Sequence, residues 1–157
     1  VTPLLPENVQ DYPRPPALEP VPQRIEVRFA GAVIAQTEAA LRVLETHHAP
    51  TYYLPPDAIT ATLRPARGQS FCEWKGRASY FDVEQDGQVA ARAAWSYADP
   101  SQRFAALEGY VALYASQMEA CFVGGVQVVP QPGDFYGGWV TPNLTGQIKG
   151  APGTLHW

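Results

Sequence analysis

The sequence predicts a mainly β fold assembled from hairpins, with one short helix after Asp99 and an extended arm at each end. Three observations carry this expectation. From Arg24 onward, apolar and polar residues alternate in short runs, the period of half-buried strands. Asp86-Gly87 and Gly124-Gly125 interrupt such runs with the residue types that two-residue hairpin turns require. Prolines crowd residues 1–23, and glycine and proline recur through 131–157, which is incompatible with long helices there.

The totals narrow the function classes. A chain of 157 residues suits one domain able to bury a core without disulfide or metal staples. A net charge of −4 and a pI near 5.3 argue against a nucleic-acid backbone or an anionic membrane as the main partner. No apolar run reaches the length of a bilayer span. The first residues carry acids and prolines in place of a basic and then apolar leader, and the two cysteines make no disulfide framework. The expected location is the cytoplasm.

Residues 1–23 are proline-rich, and their composition is compatible with a disordered leader or with an ordered arm, the reading adopted. Leu4, Leu5, Val9, Tyr12 and Leu18 supply the apolar anchors that could hold it on the body, or on a second subunit. The body spans 24–130. Ile25–Phe29 alternates apolar and charged residues, and Ala30-Gly31 turns the chain into Ala32–Gln36. Residues 39–46 are compatible with helix by propensity and with strand by length. Thr51–Leu54 is strand-like and is stopped by Pro55-Pro56. Thr60–Arg64 is a weaker strand.

The central hairpin folds around Asp86-Gly87, which sets Gln85 opposite Gln88. A regular ladder from there pairs Tyr80 with Ala93, Ala78 with Trp95 and Gly76 with Tyr97. Its other face pairs Phe81 with Arg92 and Ser79 with Ala94. Tyr80, Trp95 and Tyr97 then form an aromatic floor. Asp99-Pro100-Ser101-Gln102 has the composition of a capping box with proline at the first helical position. A helix over 101–108 follows. Its extension to Met118 is opposed by Gly109, with Tyr110–Tyr114 extended as the rival reading. Ala120–Val123 and Val126–Val129 form a second hairpin, with Cys121 opposite Val128 in an apolar setting. Residues 131–157 form a second arm that wraps the body, with Phe135, Tyr136, Trp139 and Trp157 spread along it.

Motif-borne chemistry is sparse. Neither a phosphate-binding GxxxxGK[ST] loop, a dinucleotide GxGxxG after a strand, nor a nucleophile elbow occurs. His47 and His48 are adjacent, so their side chains diverge, and the pair reads as a solvated loop. What remains is Cys72-x-x-Lys75-Gly76. A tight turn at 73–76 would bring a thiol and an ammonium onto one loop, and a nearby ammonium favours thiolate. The alternative keeps Cys72 buried and inert with Lys75 at an exposed turn tip.

Glu45-Thr46, Tyr53-x-Pro55-x-Asp57, Cys72-x-x-Lys75-Gly76-x-Ala78-x-Tyr80, Ala94-Trp95-x-Tyr97-x-x-Pro100 and Val111-Ala-Leu-Tyr114 occur in that order. Together they resemble the bacterial domain-of-unknown-function family 427, also catalogued under a nucleotidyltransferase-like label. The resemblance covers about residues 24–130. Glu73 departs from it, standing where the family commonly has proline. The resemblance implies a β-tent-like pair of antiparallel sheets and favours strand for 39–46. It also makes Cys72-x-x-Lys75-Gly76 look like a zinc knuckle whose second cysteine has become lysine. No structural zinc or other cofactor is therefore expected, with the Lys75 cation taking over part of the metal's role. For nucleotidyl transfer the chain offers only scattered acids, Glu45, Asp57, Asp82 and Asp86, and no phosphate cradle.

Two functional expectations follow. In the first, a pocket between the sheets binds a small molecule. Tyr53, Tyr80, Trp95 and Tyr97 form its walls, and Cys72, Lys75 and Glu45 are nucleophile or redox thiol, activator and general acid or base. In the second, the rings are simply core, the protein is a structural or partner-binding module, and its arms form a homodimer interface.

Overall fold

The computed structural model of the protein describes residues 2–133 and 135–154. The N-terminal arm carries β1 (Glu7–Asn8) and β2 (Ala17–Pro20). β3 (Ile25–Phe29) and β4 (Ala32–Thr37) make the first hairpin, and β5 (Leu41–Leu44) and β6 (Thr51–Tyr53) the second. Three long strands follow: β7 (Thr62–Cys72), β8 (Gly76–Gln85) and β9 (Gln88–Ser96). β10 (Val111–Leu113), β11 (Ala120–Val123) and β12 (Val126–Gln127) complete the body. β13 (Val129–Pro130), β14 (Trp139–Val140) and β15 (Leu144–Thr145) belong to the C-terminal segment.

The fold is mainly β, with several antiparallel sheets. The two largest are four-stranded, ordered β10-β9-β8-β7 and β12-β11-β3-β4, and a third is ordered β2-β5-β6. Mutual backbone hydrogen bonds of 2.8 Å between Leu54 and Val111 join the end of β6 to β10. Within residues 39–46, Leu41–Leu44 thus resolves as strand, and Leu18 of the N-terminal arm pairs with it in β2. Arg42 on β5 holds that arm by ion pairs to Glu19 at 2.5 Å and Glu7 at 3.1 Å. Glu7 also accepts the Tyr12 hydroxyl. β1 pairs in parallel with β15, so the two terminal segments meet each other.

The Asp86-Gly87 turn has positive φ at both positions and sets Gln85 opposite Gln88. The regular ladder expected beyond it does not hold. Val83 pairs with Ala90 but Phe81 pairs with Ala94, so residues 91–93 of β9 face Asp82 alone. Tyr80 consequently faces Trp95 instead of Ala93, and Ser79 faces Ser96 instead of Ala94. The cause is local: Arg92 adopts φ 50°, and its freed N–H donates to Asp82 Oδ1 at 2.8 Å. A two-residue bulge keeps the side-chain parity of the strand, so the rings stay on the intended face while their partners change. β7 carries a matching bulge, where Pro65 pairs with Phe81 but Gln69 with Ser79. The Arg92 guanidinium bridges the two irregularities, donating to the Arg67 carbonyl and lying over the Tyr80 ring at 4.2 Å.

After Asp99 the helix is shorter than its capping pattern suggests. It is a 3-10 segment, Gln102–Leu107, broken at Phe104, and residues 111–113 are extended as β10. Asp99 caps nothing. Ser101 instead turns to the preceding loop: its hydroxyl donates to the Trp74 carbonyl at 2.6 Å and its N–H to the Lys75 carbonyl at 2.9 Å. Capping chemistry has been diverted into holding residues 73–75. In the last body hairpin Gly124 and Gly125 both have positive φ, and Val128 N–H donates to the Cys121 carbonyl, as the turn type requires. Cys121 is buried, and burial pushes its thiol up to about 12.

Candidate functional site

Among the described residues the two larger apolar clusters differ in character. One gathers Ile25, Val27, Ile34, Leu54, Val83 and Leu113 between the sheets. The other is aromatic, with Tyr53, Tyr80, Trp95, Tyr97 and Phe104 packed against Val43 and Leu107. On the aromatic side the packing stops short of filling the space. A cavity of about 310 Å³ opens there, walled by β5 and β6 on one side and by β8 and β9 on another.

The loop between β7 and β8 forms its mouth. Cys72 pairs directly with Gly76 across a turn of residues 73–75, and Gly76 takes φ 112°, a conformation side chains disfavour. Cys72 is half-buried, and both it and Lys75 line the cavity. Lys75 Nζ lies over the Tyr97 ring at 5.8 Å. Glu45, just past β5, lines the opposite side, 3.6 Å from Arg14 and 3.8 Å from His48 Nε2. Tyr53, Tyr80, Trp95 and Tyr97 line the same space, so all seven of these side chains border one enclosure.

Their environments differ. Tyr53 is fully buried, and its ring meets Trp95 at 6.4 Å and Tyr97 at 6.2 Å. Its hydroxyl lies among the polar groups of Trp95 and Tyr97 without a well-formed hydrogen bond to either. Burial raises its pKa and that of Tyr97 well above the usual phenol range. Tyr80 donates to or accepts from Ser70 at 2.9 Å, and Tyr114 donates to the Phe135 carbonyl at 3.1 Å. Burial and the neighbouring Tyr80 push Tyr114 up to about 12.

Sequence reasoning missed the third wall. The C-terminal segment closes the cavity with Gln131, Phe135, Tyr136, Gly137, Gly138 and Lys149. A Cβ at Gly137 would overlap the Trp95 indole, and one at Gly138 would come within 2.6 Å of the Ala49 carbonyl. The glycine pair is therefore required by close approach. His48 was missed as well. The solvated pair is instead half-buried, and His48 lines the cavity, edge-on to Tyr136 at 5.3 Å. Gln131 approaches its Nδ1 at 3.3 Å and donates to the Lys149 carbonyl at 3.0 Å. Burial first, and then Lys149, Lys75 and Arg14, lower the His48 imidazole to about 4. Adjacent glycines beside aromatics (Tyr136-Gly137-Gly138-Trp139) were the available signal, since backbone pressed on a ring tolerates no side chain.

The acids considered for nucleotidyl transfer stay dispersed. Asp82 is engaged by the β9 bulge, Asp86 lies in a turn and Glu45 pairs with Arg14. Among the described residues no three His, Cys, Asp or Glu side chains cluster as metal ligands would. No helix of the described residues is long and apolar enough to cross a membrane. A family model described as "Domain of unknown function (DUF427)", with the short label NTP_transf_9, matches residues 17–124. No curated protein matches the chain.

Proposed function

This chain belongs to the domain-of-unknown-function family DUF427, and from that premise we propose that it binds a small molecule in the cavity between its sheets. One observation carries the reading. Around about 310 Å³ of space, four aromatic walls meet the thiol of Cys72, the ammonium of Lys75 and the carboxylate of Glu45. Aromatic walls meeting reactive and charged groups are the make-up of a ligand site, here a markedly polar one at the small end of the roughly 300–1000 Å³ range.

In a catalytic version of the same reading, Cys72 is the nucleophile or redox thiol, Lys75 the cation on the same loop, and Glu45 the general acid or base. The test exploits the inequality of the two cysteines, Cys121 being buried with its thiol pKa raised. A maleimide should therefore cap Cys72 alone. Single-ring fragments screened by ligand-observed NMR should give binders whose signal disappears after capping. Binders indifferent to the cap, or none at millimolar concentration, would overturn the proposal.

A further inference from the structure

Two ammonium groups border the cavity without a carboxylate partner among the described residues. Lys75 Nζ lies over Tyr97, and Lys149 Nζ lies over Tyr136 at 5.6 Å. Both tyrosines also face the cavity. A tyrosine face attracts a cation without neutralising it, so each charge stays available to an anion. The cavity's two acids do not cancel them. Glu45 lies beside Arg14 and His48, and Glu73 is exposed at the rim. His48 carries the mark of the imbalance. Its protonated form is disfavoured by burial and then by Lys149, Lys75 and Arg14, even with Glu45 only 3.8 Å away. The lining's two lysines and two glutamates balance in number, but around His48 the cations outweigh the acids, inside a chain of net charge −4. Low-dielectric walls strengthen such a field over its value in water.

The geometry points to a small organic carboxylate with a planar ring as the ligand class, its acid group engaging Lys75 and Lys149 and its ring lying against Trp95. This rests on the reading that the cavity binds a small molecule. The volume suits one ring with a short acid arm. Trp95 and Tyr114 pack on each other with ring centres 4.5 Å apart, and both border the cavity beside that ring. Lysine ammoniums act as point charges and accept a carboxylate or a phosphate alike, so the ring surface, and the phosphate arm of the test, separate the two.

Four probes separate the parts of the claim: 4-hydroxyphenylacetate, its primary amide, tyramine and inorganic phosphate, each titrated calorimetrically into the full chain. The acid should bind tightest and the amine weakest. Lys149→Met, and independently Lys75→Met, should weaken the acid about tenfold and the amide far less. Acid and amide binding alike, or both weakened equally by the variants, would overturn the charge assignment and leave the binding cavity standing. Phosphate binding as tightly as the acid would overturn the ring. If no probe binds while maleimide-sensitive fragments do, this ligand class is wrong. If those fragments are absent too, the cavity reading fails with it.

Discussion

At the scale of single residues, His48 is the most informative. Its imidazole sits at about 4 in the folded chain against 6.5 for the free side chain, with Lys149, Lys75, Arg14 and His47 opposing its charge and Glu45 facing it. Between pH 6.5 and about 4 the unfolded chain takes up a proton that the folded chain refuses. Stability is therefore greatest above that window and falls as pH is lowered through it, by up to about 3 kcal/mol. Urea unfolding at several pH values should show this loss in the wild type and a shallower one in His48→Gln. Equal slopes would mean that His48 is solvated when folded. None of this was legible in two adjacent histidines, because desolvation comes from Tyr136, Gln131 and Lys149, distant in sequence. Cys72 and Lys75 differ in this respect, since Gly76 announces the turn between them.

At the scale of elements, turn chemistry was legible and ladder continuity was not. Asp86-Gly87 and Gly124-Gly125 have the backbone conformations their composition demands. Nothing in residues 91–93 signals that β9 will carry two extra residues there. The bulge depends on Asp82 across the strand and on the Arg67 carbonyl in β7, a three-strand agreement that pairwise pattern reading cannot detect. The aromatic face survived because the extra residues number two. The C-terminal segment shows the converse, an element with little regular structure placed by close contact. Gly137→Ala would drive a methyl group into Trp95 and should cost about 1–3 kcal/mol, as overpacking does. A lowered melting temperature with a red-shifted tryptophan emission is the expected result. An unchanged spectrum would show that the segment does not rest on Trp95 in solution.

For the whole molecule, the C-terminal segment is part of the core and not an appendage. Trp139 is buried, stacks on Tyr52 at 5.2 Å and donates its indole N–H to the Leu113 carbonyl at 3.0 Å. Trp139→Ala should cost about 3–5 kcal/mol, a large share of a typical domain's 5–15 kcal/mol. Denaturant unfolding of that variant would show an early or absent cooperative transition. A near-wild-type midpoint would mean that the segment is dispensable. Trp157, also expected to pack on the body, lies outside the described residues.

By itself the sequence determined the strand periodicity, the glycine turns and the class of residue that would gather on one aromatic face, because these depend on neighbours within a few positions. Only the tertiary structure decided that the face stays partly open, that a glycine-rich segment from the far end of the chain closes it, and that His48 and Lys149 join Lys75 there. Those outcomes depend on burial and on charges brought together across long sequence separations, and short-range pattern carries no record of either.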